Sequence, residues 1–175
     1  MILPPPLRKL ALTVHVASSI GWFGAVAAFL ALAVTGLNSH DAQLMRAACL
    51  AMALTTWWVI VPLAGVSLLS GLVSSLGTRW GLFRYWWVLA KLLLTVFSTA
   101  VLLVHTQPIA LLASAAAQTA EFGADLRSAQ LLMVIASGLA LLVLLVLTAL
   151  SVYKPQGVTR YGWRKQREQR ELLAP

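Results

Sequence analysis

Four apolar runs, each long enough to cross a bilayer and each ended by a polar break, constrain this chain more than any single motif. They cover about 10–36, 47–76, 85–106 and 129–153. A helical span needs roughly 20 apolar residues, and each run reaches that length. Of the 175 residues, 60% are hydrophobic and only 10% are charged, whereas a soluble domain carries about 25% charged residues. The expected fold is all-α: a polytopic membrane protein, a four-transmembrane-helix bundle in one domain (1–153), followed by a basic tail over 154–175. The first run holds His15, Ser18, Ser19 and Trp22 and exceeds the apolar core of a signal peptide, so it reads as a span.

Charge gives the orientation. Arg8 and Lys9 before the first run, Arg79 and Arg84 after the second, and Lys154, Arg160, Arg164, Lys165, Arg167 and Arg170 in the tail make ten basic residues on one side. The other side has two, Arg46 and Arg127. The excess marks the cytoplasmic face, so a bacterial plasma-membrane protein with both termini cytoplasmic is expected. The net charge of +8 is thus an orientation signal, not a sign of nucleic acid. The tail, with Arg164/Glu168 and Arg167/Glu171 spaced for i,i+4 pairs, is expected to be partly helical and to meet anionic lipid. Trp80, Tyr85, Trp86 and Trp87 form an aromatic belt at this face.

Polar residues inside the runs carry the functional signal. Lys91, Thr95, Ser98, Leu102 and His105 step by four, three, four and three along the third run, which puts them on one helical face. A lysine in hydrocarbon is costly, so that face should look into protein or snorkel to the rim. Counting residues from the cytoplasmic rim, His15 and Lys91 fall at one depth, about 9 Å in. Ser70 and Gly71 of the second run and Thr148 of the fourth return to the same level, and Ser19 and Trp22 continue the His15 face. The same count puts His105 near the far rim with Trp57, Trp58, Phe29 and Met133, where an aromatic-lined pocket approached by His40 is expected. Small residues at Gly21, Ala25 and Ala28, and at Ser67 and Gly71, allow close helix approach. Pro62 is a candidate kink, and 107–128 reads as a long alanine-rich loop holding at most a short surface helix.

A histidine facing a bundle interior suits axial ligation of haem iron. Cofactor contacts are therefore expected at His15, Lys91, Trp22 and Ser19, with Lys91 as a sixth ligand or a propionate partner. Copper is the alternative, drawn from His105, His40 and Met133. A cofactor-free accessory subunit, with a membrane-protein partner or a second copy, is the third reading. No span carries a carboxylate, and no phosphate-binding loop is present, which argues against hydrolase and ATP-driven chemistry. The single cysteine, Cys49, leaves no intrachain disulfide.

The stretches HVASSIGWFGA (15–25) and WVLAKLLL (87–94) with the later VH (104–105) resemble a superfamily of small bacterial membrane proteins. It includes the copper-resistance CopD type and the HemJ type of protoporphyrinogen oxidase. The resemblance implies a haem b role for an early-span histidine and a later-span lysine, here His15 and Lys91. The gap from Lys91 to His105 is longer than in the HemJ type, and no further intramembrane histidine is present. Across its whole length the chain also resembles an uncharacterised actinobacterial-type four-span family through LFRYWWVLAKLLLT (82–95), LLVHTQPI (102–109) and LSVYKPQGVTRYG (150–162).

Overall fold

The computed structural model describes residues 4–77, 82–118, 124–155 and 157–173. Its helices are α1 (Pro5–Asn38), α2 (Ala42–Thr55), a π-helical turn (Thr56–Ile60), α3 (Val61–Leu76), α4 (Trp86–Gln118), α5 (Ala124–Tyr153) and α6 (Arg160–Leu173). Four helical stretches are long and apolar enough to cross a membrane: Pro5–Asn38, Ala42–Leu76, Trp86–Ala117 and Leu126–Tyr153. The chain is an all-α, multi-pass bundle whose apolar outer surface suits a bilayer. An even number of crossings leaves both termini at one end, here the terminal end; the α1–α2 loop lies at the far end.

The second span is α2, the π turn and α3 in series. Pro62 sits in the first turn of α3. Lacking an N–H, it cannot continue the α-helical ladder, and the chain absorbs the break as one wider turn just before it. At the far end Asp41 caps α2 by accepting from the Gln43 N–H at 2.8 Å.

The expected loop over 107–128 is largely helical instead. Helix α4 runs straight through Pro108 to Gln118. Two physical reasons account for this. Pro108 removes only the N–H that would bond Val104 O, one ladder bond in a helix of 33 residues, and in apolar surroundings the other backbone groups are best satisfied by staying helical. Beyond it, an alanine-rich stretch favours helix, and Ile109, Leu112, Ala113 and Ala116 bury one face.

Helix α1 packs against α2, α3 and α5, and α4 packs against α2, α3 and α5. The first and third spans therefore stand at opposite corners. The core is divided unevenly along the bundle. Its far half is filled by Phe29, Ala33, Met45, Cys49, Met52, Leu112, Ala116, Gln130 and Met133, all buried. Toward the terminal end burial thins. On α4 no residue from Leu89 to His105 is buried, and the buried set on α1 and α3 becomes Ser18, Ser67 and Ser70 beside Trp22.

The tail is docked against the bundle. Lys154 ends α5 with φ 42°, in the left-handed region, and Pro155 prevents continuation. The strand-like stretch after it pairs with the loop before α4 through an isolated Tyr85–Val158 bridge. Trp86 N donates to Gly157 O at 3.1 Å, and Thr159 N donates to Arg84 O at 2.9 Å. In α6, Glu168 pairs with Lys165, three residues back, at 2.8 Å; the expected partner was Arg164. Both ends are exposed, and this one hydrogen bond, with its ion pair, lowers the Glu168 carboxyl and raises the Lys165 ammonium from their ordinary pKa values.

Candidate functional site

The depth count brings His15 to α3. A Cβ built on Gly71 would lie 3.0 Å from His15 Cε1 and 3.3 Å from Nδ1, so the glycine is the floor on which the ring rests. The ring Nδ1 lies 3.0 Å from Ser67 O and 3.3 Å from Ser70 Oγ. A carbonyl can only accept, so Nδ1 carries the proton. The Ser70 hydroxyl itself donates to Val66 O at 2.6 Å and is likewise an acceptor toward the ring. This fixes the tautomer and leaves Nε2 with its lone pair. Among the described residues Nε2 has no hydrogen-bond partner.

The neighbouring hydroxyls tie α1 to α3. Ser19 Oγ meets Ser67 Oγ at 2.8 Å, and Ser18 Oγ donates to His15 O at 3.1 Å. One turn beyond Gly71, the Ser74 hydroxyl is buried with no partner among the described residues. Trp22 is buried two turns further along the His15 face, in the apolar core.

Lys91 reaches α5, with Nζ donating to Ser151 Oγ at 2.5 Å. The expected face-to-face pair of His15 and Lys91 is not formed, because their helices occupy opposite corners and each group bonds a different neighbour. Among the described residues the Lys91 ammonium has no acidic partner. Ser151 lies one turn beyond the expected Thr148; the lysine stem spans that extra rise.

The far-end grouping does not assemble. His105 turns its ring onto its own helix, His40 is exposed in the loop, and Met133 is sealed in the core at 2% exposure. Trp57 and Trp58 are 51% and 75% exposed, facing away from the bundle, because the wider π turn rotates them outward. Among the described residues no aromatic pocket forms around His105. Among the described residues, no three His, Cys, Asp or Glu side chains converge as a metal site.

Sequence reasoning missed two features. Gln130 is fully buried with Oε1 unpartnered, its amide nitrogen 3.7 Å from Cys49 Sγ. Ser151 anchors Lys91, and a count from the inner rim extended by one turn would have found it. Searches against family models, characterised proteins and solved structures gave no match.

Proposed function

We propose that this protein sits in a bacterial plasma membrane with its terminal end cytoplasmic, and that His15 is an axial ligand for a b-type haem held near that end. The observation that carries the reading is the His15 ring. Its Nδ1–H is committed to the Ser67 carbonyl, and its Nε2 has a free lone pair. Histidine ligands are typically oriented this way, with the distal N–H fixed by a carbonyl. The donor set fits the group in a second respect. An intramembrane ammonium without an acidic partner suits a propionate, and Lys91 is such a group. Ser19 and Trp22 would line the same side. With no second histidine beside His15, the iron would have one strong protein ligand.

Haem, when bound, supplies one-electron chemistry. The chain's own contribution is to hold the ring, fix its tautomer and keep a cation at the same level of the bundle, which together suit a redox or electron-transfer role. The ten-to-two basic asymmetry supports the orientation, and the basic α6 supports an anionic-lipid contact for the tail.

A visible spectrum of detergent-purified protein tests the reading. A Soret band that disappears in His15→Ala is expected. No band, with stoichiometric copper lost in His105→Ala, would replace haem by copper. Neither chromophore nor metal would leave an accessory subunit that works through a membrane-protein partner or a second copy.

A further inference from the structure

Between the docked tail and the first turns of α4 lies an open cavity of about 500 Å³, lined by Phe83, Trp86, Leu89, Thr159, Arg160 and Tyr161. Its walls are fixed by the tail's attachment. Thr159 Oγ1 donates to Phe83 O at 2.5 Å, and Gly162 N donates to Thr159 Oγ1 at 3.1 Å, so this threonine joins the loop to the start of α6. Gly162 permits the approach: a Cβ there would lie 2.5 Å from Arg84 O and 2.6 Å from Val158 Cγ1.

The cavity has two chemically different sides. Phe83, Trp86 and Leu89 give an apolar wall, and Trp86 opens the membrane span of α4. Arg160 stands on the other side, exposed, with no hydrogen-bond or ion-pair partner among the described residues. It begins a helix that also carries Arg164, Lys165, Arg167 and Arg170 against only Glu168 and Glu171. Hydrocarbon beside a free guanidinium, at the level where a span enters the headgroup layer, matches an amphiphile with an anionic head.

We propose that this cavity is a binding site for one anionic phospholipid, its phosphate on Arg160 and its acyl chain along Phe83, Trp86 and Leu89. The site deepens the tail–lipid contact suggested above and rests on it. Bound there, the lipid bridges α6 and α4 and secures the tail against the bundle. Free phosphate would use the guanidinium but leave the apolar wall exposed, so a lipid is the ligand that satisfies both sides.

The test uses the full chain in vesicles containing phospholipid brominated on its acyl chains, either anionic or zwitterionic, with quenching of tryptophan fluorescence as the readout. Trp86→Phe isolates the local signal. The Trp86-dependent quenching should favour the anionic lipid by about fivefold, the preference one basic residue confers at an anionic surface. Arg160→Gln should abolish that preference, and Arg167→Gln, on the same helix, should leave it. Equal losses in the two variants would overturn the site while keeping diffuse attraction of the tail. No anionic preference in the unaltered chain would overturn both. Relief of quenching by millimolar inorganic phosphate would overturn the lipid assignment. An unchanged rate of tryptic cleavage after Arg164, Lys165 and Arg167 in Arg160→Gln, which lacks only the site at 160, confirms that α6 remains docked.

Discussion

The two ends of the bundle are built differently. At the far end, Met52, Cys49, Gln130 and Met133 are fully or almost fully buried and four helices meet through large side chains. At the terminal end α1 and α3 meet through serines, a glycine and hydrogen bonds, with His15 and Lys91 half-buried and Val88 and Leu147 the buried apolar residues of α4 and α5. In a membrane the lipid competes for apolar surface as well as protein does, so close packing and hydrogen bonds supply the association energy. The far end relies on large-side-chain packing, and at the terminal end polar contacts take a larger share. Large-side-chain packing is thereby concentrated away from His15 and Lys91.

Truncating the packed end should give the largest effect. Met52→Ala and Met133→Ala each leave a cavity in a fully enclosed site, and a loss of about 2–4 kcal/mol is expected in reversible unfolding from micelles. Leu94→Ala, on the half-buried stretch of α4, should cost less than about 1.5 kcal/mol because surrounding lipid can fill the space. Equal costs would show that the two ends are packed alike.

A pair of glycines sharpens the contrast. Gly71→Ala puts a methyl 3.0 Å from the His15 ring, and overpacking of this kind costs about 1–3 kcal/mol. It should also displace the imidazole from Ser67, visible as a changed His15 ring resonance and, if haem is bound, as a weakened Soret band. Gly36→Ala, whose methyl would meet Ala48 Cβ at 3.4 Å and Gln130 Nε2 at 3.6 Å, makes ordinary contacts and should be nearly neutral. A neutral Gly71→Ala would mean that the ring is not seated on α3.

What was legible in the sequence follows the same division. The four spans could be read from apolar length alone, because a bilayer leaves a spanning chain little choice but helix. The level of His15 with Ser70 and Gly71 followed from residue counting, since the rise per residue is fixed. Rotation about each helix axis was less legible. Counting gives depth but not azimuth, so Lys91 was expected opposite His15 and instead bonds Ser151, and Trp57 was expected inside and faces out. Pro108 misled for another reason. Proline commonly ends helices in water, but here apolar surroundings and burial of the following turns carry α4 past it. The docked tail had no local signature, because Thr159 and Phe83 are far apart in sequence.

The tail's attachment supplies a smaller effect. Thr159→Val removes the hydroxyl that bonds Phe83 O and accepts from Gly162 N. Loss of this cap and tether should cost about 1–2 kcal/mol locally. Trypsin should then cleave within α6 several-fold faster while the unfolding of the spans is unchanged. A parallel loss in the spans would show that the terminal end depends on the tail.

The smallest effect belongs to Lys165 and Glu168, which meet on the exposed side of α6. Because pairing lowers the carboxyl, its contribution is present above the ordinary carboxylate value of 4.5 and fades as pH falls through the lowered one. The ammonium is raised, so its contribution is complete below 10.5 and fades only as pH rises through the shifted value. Between about pH 5 and 9 the pair is therefore constant, and tryptic protection of α6, corrected for the protease's own pH dependence, should be flat. Glu168→Gln should barely change that protection, because exposed pairs contribute little once screened by salt. If Glu168→Gln instead released the tail as Thr159→Val does, surface charge rather than the threonine tether would hold it, and the polar end would owe its order to electrostatics more than to directed hydrogen bonds.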